Sequence, residues 1–298
     1  MTGEEILNLT RDDLEDTEEE YLWKTSYLVT CLNRTLNEIY EKTDIFTDFS
    51  TSAICQIEVL SGLALYSLDP RVLTVQSPKL SSQSVPLTKV HESELNDYRP
   101  GWREKTGTPT HYVPEAEPQK ILLYPFYDAT GVMTGASNIS FISATPKITK
   151  PSGLSVYAVG DKVNVSGTTN NNKTVTVTGV LDTELTVSET LVDEANTSAV
   201  LRKVRDTLDL TVSRLQLTPF TVANLNTLSP EISFQYHDRL PHGVKKYAYL
   251  KRDSQTLDPK ASAAEDLELQ RLIEDIKRDL LKKKARYNST VGPRRGAI

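Results

Sequence analysis

The side chains that could perform acid–base or metal chemistry are four histidines and forty acidic residues. His237 and His242 lie five residues apart, whereas two metal ligands on neighbouring turns of one helix are typically four apart. Pro241 lies between them, and proline bends or interrupts a helix. Asp238 could form a dyad with His237, but no serine or cysteine has the surroundings of a catalytic nucleophile. We therefore predict no catalytic residue and no metal site, and we interpret both histidines as polar residues of a surface helix.

The sequence also lacks the usual signs of a cofactor or saccharide site. The thirteen glycines are scattered, and none forms a glycine-rich loop around a phosphate, so we expect no cofactor. Many carboxylates make some close pair inevitable, so they do not predict a glycosidase. Five aromatic residues could line a sugar site, although such residues more often fasten a loop to a sheet: Trp102, Tyr112, Tyr124, Phe126 and Tyr127. We predict that the protein is not an enzyme, with a carbohydrate-active enzyme as an alternative.

Bulk composition favours a packed protein whose main partner is not nucleic acid. The chain has 298 residues, 38% of them hydrophobic, and a formal charge of −6. A nucleic-acid-binding protein typically has a basic surface. Cys31 and Cys55 are expected to be buried thiols in a reducing compartment. No apolar run approaches the ~20 residues that cross a bilayer, and the acidic first segment does not resemble a secretory signal, so we expect no membrane association.

Helical patterns occur at both ends of the chain. Thr17 and Glu20 could form a capping box for a first helix. The apolar stripe of this helix would be Leu28, Leu32, Leu36 and Ile39. Ser229-Pro230 and Asp258-Pro259 predict the starts of two more helices, because a polar cap followed by proline is typical of a helix N-terminus. The last helix has an apolar stripe at Leu269, Leu272, Ile273, Ile276 and Leu280. Residues 287–298 have no periodicity, and we expect them to be disordered when unbound.

Short branched or apolar runs between these helices predict β-strands. They lie at residues 54–59, 63–67, 72–76, 85–90, 121–124, 138–143 and 207–217. Residues 146–203 contain no Trp, Phe, His or Cys, and valines alternate there with polar residues. We predict that 146–203 is an inserted all-β module and that 1–145 with 204–298 is the core.

The predicted fold class is therefore α+β. It consists of a helical bundle, made from the N-terminal helix and two C-terminal helices, with a β-sheet core region and an inserted small all-β module.

The two ends of the chain carry opposite charge. Residues 1–20 contain nine acidic residues and one arginine, whereas residues 277–298 contain eight basic residues and one aspartate. Such a basic tail is typical of a segment that becomes ordered on an acidic protein surface, although an ordinary solvated helix end has the same composition. DNA contact by so few basic residues on an acidic protein would be weak and sensitive to salt.

Four short motifs follow one another between residues 67 and 128. Their sequences are Leu68-Asp69-Pro70-Arg71 before an apolar run, a lone Trp102, Gly107-Thr108-Pro109-Thr110-His111-Tyr112, and a strand ending in Tyr124-Pro125. This order resembles the head-to-tail adaptor, or connector, proteins of tailed bacteriophages. The motif residues are Asp69, Pro70, Trp102, Gly107, Pro109, Tyr112, Tyr124 and Pro125. A later Tyr236-His237-Asp238 helix and a basic C-terminal helix are also similar, whereas Phe126 or Tyr127 stands where the family more often has a second proline.

The resemblance implies a structural virion protein, located in the neck of the particle and assembled in the host cytoplasm. Such subunits form a ring, usually dodecameric, that joins the portal protein to the tail and continues the DNA channel. Residues 282–298 would dock on the portal. The candidate contacts are Lys282, Lys283, Lys284, Arg286, Arg294 and Arg295.

The implied partners are further copies of the chain, the portal protein, tail tube, nozzle or tail-fibre proteins, and passing double-stranded DNA that is bound without sequence specificity. The alternative is another neck or tail protein whose β module binds a host surface or a fibre. Within the adaptor interpretation, residues 146–203 are either an outer spacer or a dock for fibres.

Overall fold

The computed structural model describes residues 1–18, 20–134, 138–252 and 256–289, with the side chains of Asn196 and of 284–289 excepted. The chain forms two compact units. The first comprises Met1–Asp48, Arg71–Thr74 and Ser213–Ile298, and the second comprises Phe49–Pro70 and Val75–Val212.

The described residues form six α-helices and seventeen strands. The helices are α1 (Gly3–Asp13), α2 (Thr25–Thr43), α3 (Ser52–Cys55), α4 (Glu92–Tyr98), α5 (Leu240–Ala248) and α6 (Pro259–Ser289). The strands are β1 (Thr47–Asp48), β2 (Gln56–Leu60), β3 (Leu65–Ser67), β4 (Val72–Val75), β5 (Lys79–Leu80), β6 (Thr88–Lys89), β7 (His111–Glu117), β8 (Lys120–Tyr124), β9 (Val132–Thr134), β10 (Ile139–Ile142), β11 (Lys147–Thr149), β12 (Lys162–Ser166), β13 (Thr174–Leu181), β14 (Glu184–Val187), β15 (Glu194–Thr197), β16 (Val200–Asp209) and β17 (Val212–Arg214).

The helices α1, α2, α5 and α6 bury one apolar core in the first unit. The predicted stripes of α2 and α6 both belong to it, because Leu28, Leu32, Leu36, Ile39, Leu269, Leu272, Ile273 and Ile276 are buried together. α2 and α5 approach closely at Gly243, where an added Cβ would lie 2.2 Å from Cγ2 of Thr35. Glycine is therefore required at this point of contact between the two helices.

The predicted start of the first helix is wrong. Thr17 and Glu20 lie outside any helix, α2 begins only at Thr25, and the described structure has a helix, α1, that the prediction missed. The side chain of Asp16 accepts main-chain hydrogen bonds from Leu22 (2.7 Å) and Trp23 (3.2 Å), which holds this segment in a loop. The capping box in fact belongs to α1, where Thr2 and Glu5 bond each other's main-chain N–H groups.

Three other expectations from the sequence have different outcomes. The prediction of a helix that starts at Ser229-Pro230 is wrong, because a 3₁₀ segment (Phe234–Arg239) precedes α5. Pro241 lies in the first turn of α5, where proline is tolerated. His237 was expected on the surface but is 3% exposed, and its Nε2 lies 2.8 Å from the carbonyl oxygen of Ile232. The expectation of buried cysteines is confirmed, since Cys31 and Cys55 are buried and free.

The second unit contains a ten-stranded antiparallel sheet and a four-stranded sheet. The larger sheet has the order β15-β10-β11-β14-β13-β12-β16-β2, and β5 and β9 also pair with β16. Its apolar core includes the alternating residues expected on β12, β13 and β14, which are Val163, Val165, Val175, Val177, Leu185 and Val187. These local alternations are therefore confirmed as strands.

The predicted fold class, a helical bundle with a β-sheet core region and an inserted small all-β module, is wrong. The protein is a mixed α/β structure in which a large curled antiparallel sheet, a half-barrel, dominates the core. Strand β16 pairs with β12 through Val200–Lys203 and with β2 through Val204–Asp209, so one strand joins the predicted module to the predicted core. Charged residues in this strand interrupt the alternation, and the sequence therefore did not indicate its continuity. The domain boundaries 1–145, 146–203 and 204–298 stay a prediction.

The four-stranded sheet has the order β3-β8-β7-β6, with only the β6–β7 pair parallel. Strands β3 and β8 overlap predicted strands, whereas β7 lies in a stretch for which no strand is predicted. The structure accommodates Pro114 next to a shift in the pairing register with β8, between Pro114 and Glu117. Proline is tolerated at such irregularities because it has no N–H group to donate there.

Candidate functional site

The candidate site is the C-terminal end of α6, and its position depends on how the start of this helix is fixed. The Asp258 carboxylate accepts hydrogen bonds from the main-chain N–H groups of Lys260 and Ala261, both at 3.0 Å. These bonds satisfy two of the N–H groups that have no partner within a helix. The start predicted from Asp258-Pro259 is therefore confirmed.

A charged network fastens the first half of α6 to α2 and α5. The ammonium group of Lys246 lies 2.7 Å from both Glu38 and Asp266, and the Tyr247 hydroxyl donates to Glu38 at 2.7 Å. Burial alone would raise the pKa of Glu38, but hydrogen bonds from Lys246, Lys42 and Tyr247 outweigh it and lower the pKa to about 2. Glu38 is therefore ionised at neutral pH, and it binds the ammonium groups of Lys42 on α2 and Lys246 on α5.

Two further contacts hold the second half of α6. Arg239 pairs with Asp275 at 2.8 Å, and the Tyr236 hydroxyl donates to Asp279 at 2.9 Å. The hydrogen bond from Arg239 lowers the pKa of Asp275, and that from Tyr236 lowers the pKa of Asp279. Both partners lie on the 3₁₀ segment before α5, so α6 is held in place as far as Asp279.

Beyond Asp279 the helix becomes exposed. Leu280 is half-buried, whereas Leu281 is 67% exposed and Lys282 and Lys283 are exposed. Lys282 approaches Asp279 only at 3.4 Å on the surface. We define the α6 tip as Leu281, Lys282 and Lys283. An exposed leucine beside two lysines is a surface that a partner could cover.

The structure reaches only part of the predicted docking segment. Lys284 and Arg286 belong to α6, but their side chains lie outside the described residues, as do Arg294 and Arg295 altogether. α6 extends to Ser289, so residues 287–289, expected to be disordered, are helical. The rest of the expected disordered tail, 290–298, lies outside the described residues.

The motif residues that carry the family resemblance lie at the four-stranded sheet and in the loops beside it. Trp102 and Tyr124 meet edge to face with ring centroids 6.0 Å apart, and they share a buried cluster with Leu95 and Val113. The indole N–H of Trp102 donates to Asn96 at 2.9 Å. These contacts fasten the segment containing α4 and Trp102 onto β7 and β8.

The remaining motif residues hold loops near this cluster. The main-chain N–H of Gly107 donates to the carbonyl oxygen of Phe126 at 2.8 Å. Gly107 also lies against Pro125, which follows Tyr124 through a cis peptide bond. Pro109 is buried, and its carbonyl accepts from Gln83 at 3.2 Å. Tyr112 is buried within β7. Asp69-Pro70 lies in the connection between β3 and β4.

The five aromatic residues considered for a sugar site divide into two groups. Trp102, Tyr112 and Tyr124 are at most 5% exposed, so their ring faces are not available to stack on a saccharide. Phe126 and Tyr127 are half-buried. The interpretation that such residues fasten a loop to a sheet is therefore confirmed for Trp102 and Tyr124.

Sequence reasoning missed the residues that fix the second half of α6. Tyr236 and Asp279 are 43 residues apart, and Arg239 and Asp275 are 36 apart. The only signal was the Tyr236-His237-Asp238 motif, which marked the segment without indicating its partners.

Among the residues that the structure describes, no cluster of three potential metal ligands is found. Within the same residues, no helix has both the length and the apolar character needed to span a bilayer.

Comparison with protein-family models yields no match, and no curated protein has significant sequence similarity to the chain.

Proposed function

We propose that the protein is a head-to-tail adaptor subunit of a tailed-bacteriophage particle, with a structural and not an enzymatic role. In this proposal its copies form a ring, usually dodecameric in the family that it resembles, between the portal protein and the tail. The ring continues the channel through which the DNA passes.

The α6 tip is the observation that carries this proposal. A helix fixed along its first two thirds, and apolar and basic at its exposed end, suits docking on another protein. The fixed part reduces the entropy lost on binding, because the direction of the helix is set before the partner arrives. Leu281 can supply apolar contact area, and Lys282 and Lys283 favour an acidic partner surface.

Two features of the chain support the family that the motifs indicate. The motif residues Trp102 and Tyr124 pack against each other although 22 positions separate them in sequence, so their order along the chain has a structural basis. The net charge of −6 also suits a DNA conduit, because phosphate contacts with basic residues would slow the passage of DNA.

A second candidate is a neck or tail protein whose β module binds a fibre or a host surface. It is favoured by three exposed apolar residues, Val156, Val159 and Leu181, which are 45%, 67% and 63% exposed. Asp182 follows Leu181 and accepts hydrogen bonds from Gly153 at 3.1 Å and from Ser155 at 2.8 Å, so the segment before Val156 is tied to the β13–β14 turn. An exposed apolar group on an ordered turn suits a binding surface.

The experiment that tests the adaptor proposal is sedimentation of the chain with purified rings of the portal protein from the same particle. We expect the full chain to sediment with the portal, and a chain shortened after Leu280 to remain in the supernatant. A chain with Val156, Val159 and Leu181 all changed to serine is the matched control and should bind the portal normally. Equal binding by the full and shortened chains would contradict the docking of α6, and an absence of binding by the full chain would contradict the adaptor role.

A further inference from the structure

Strand β3 ends the four-stranded sheet, and one of its edges is open. Ala64 accepts a hydrogen bond from Leu123, and Leu68 donates to Gln119, so Ala64, Tyr66 and Leu68 are the residues that hydrogen-bond to β8. In an antiparallel pair these alternate with residues whose N–H and C=O groups point away from the partner strand. Leu65 and Ser67 therefore direct four main-chain groups outward, and among the described residues no hydrogen bond to these groups is found.

A cavity of about 330 Å³ lies next to this edge. Val113, Leu122 and Leu65 are cross-strand neighbours on one face of β7, β8 and β3. Leu95 and Trp102 cover this face at Val113, which is buried, whereas Leu122 and Leu65 are only half-buried. We define the β3 groove as this cavity, whose apolar lining residues include Leu65, Ala116, Leu122 and Phe126.

The charged residues of the β3 groove are Glu92, Arg103 and Glu117, which together carry one net negative charge. Arg103 already pairs with Glu92 and lies over the Trp102 ring at 4.4 Å. Glu117 is 53% exposed and pairs with the nearby Lys120. The groove is therefore apolar inside and is lined by two carboxylates and one guanidinium group, which favours an occupant with an apolar side chain next to a basic one.

We propose that β3 binds an extended segment of a partner protein as an additional strand, with an apolar side chain of that segment in the β3 groove and a basic residue beside it. The outward groups of Leu65 and Ser67 would supply the main-chain hydrogen bonds. The groove would select the side chain, because alternate residues of an added strand face the same side of the sheet. This site is distinct from the α6 tip and does not depend on the adaptor proposal.

The test uses a fluorescein-labelled, end-capped peptide of alternating threonine and valine with a central phenylalanine and a lysine two positions to each side of it. Fluorescence anisotropy should show binding to the wild-type chain. Ser67→Pro removes one outward N–H without touching the bonds to β8, and proline is tolerated in edge strands. We expect it to weaken binding at least about fivefold, the equivalent of one hydrogen bond, whereas Ser67→Thr, which keeps the N–H, should bind normally.

A second measurement needs no change to the protein. Two versions of the peptide carry N-methyl groups on alternate residues, so that each blocks one of its two edges. Binding should be lost for one version and kept for the other, since only one edge faces β3. Equal binding of both versions, or no binding of the unmodified peptide, would overturn the proposal. If the wild-type chain self-associates and Ser67→Pro makes it monomeric, the occupant is a second copy of this chain and the partner assignment is wrong.

Discussion

The anchored part of α6, which ends at Asp279, and the α6 tip both contain leucine but have different surroundings. In the anchored part Leu269, Leu272 and Ile276 are fully buried, and Lys246 and Arg239 bind its carboxylates. In the last turns Leu281 is 67% exposed, and the side chains of Lys282 and Lys283 extend into solvent. Leucine therefore contributes to stability in the anchored part and is available for binding at the tip. The helical pattern alone does not distinguish the two roles.

The largest expected difference between the anchored part and the tip concerns two leucines. Leu272→Ala should lower the free energy of unfolding by about 2–5 kcal/mol, because it leaves a cavity among fully buried side chains. Leu281→Ala should change it by less than about 0.5 kcal/mol, as is usual for exposed positions. Urea denaturation of both variants checks the pair, and similar losses would mean that the tip is packed against the rest of the unit.

A smaller loss is expected in the charged network of the first half. Glu38→Gln removes the charge that Lys246 and Lys42 approach at 2.7 Å each, and it should lower the stability by about 1–3 kcal/mol. Thermal unfolding at neutral pH measures this effect. Gln270→Ala is the control, since its amide contacts Glu38 only at 3.3 Å and carries no charge.

The same network predicts a pH dependence. The pKa of Glu38 is lowered from the ordinary 4.5 to about 2. A group whose pKa is lowered by folding contributes stability that is complete above its unfolded pKa and is lost on acidification. The stability of the wild-type chain should therefore fall between pH 4.5 and pH 2 more steeply than that of Glu38→Gln. Parallel stability curves for the two proteins would contradict the low pKa.

Charge reversal at the tip should affect binding and not stability. We expect Lys282→Glu with Lys283→Glu to weaken portal binding by on the order of tenfold at low salt, since each exposed ion pair contributes about 0.2–1 kcal/mol and reversal adds repulsion. The difference should shrink as salt is added. The control is Arg271→Glu, because Arg271 is an exposed residue of the anchored part. An equal effect per reversed charge in the control would mean that binding follows total charge and not the tip.

The smallest effect is expected at Asp279, where the anchored part ends. Tyr236→Phe removes the hydrogen bond that lowers the pKa of Asp279, so this pKa should rise towards its ordinary value. Carboxyl titration by NMR measures it, and amide exchange of the last turns of α6 should become faster. An unchanged pKa would show that Tyr236 does not hold the helix at this point.

Features set by neighbouring residues could be predicted from the sequence. The Asp258-Pro259 start of α6, its apolar stripe, and the alternating valines of β12 and β13 are all patterns within a few positions. The start of α2 could not be predicted correctly, because Thr17 and Glu20 match a capping box by spacing while Asp16 binds the main chain of Leu22 and Trp23 instead.

Long-range pairings account for most of what was missed. β16 pairs with β2 about 150 positions away, and its central charges disguise the alternation. The contacts of Tyr236 and Arg239 with α6 depend on how the helices pack, and no local pattern encodes them. The motif residues of the four-stranded sheet were recognised by their order, but the open edge of β3 beside a groove became apparent only from the hydrogen-bond register.

The central claim is that this chain is a ring subunit between portal and tail, and a density map of the particle's neck tests it most directly. The map should contain a ring below the portal into which the two units fit, with the last turns of α6 against the portal protein. A neck that lacks this polypeptide, or a ring in which α6 points away from the portal, would contradict the account.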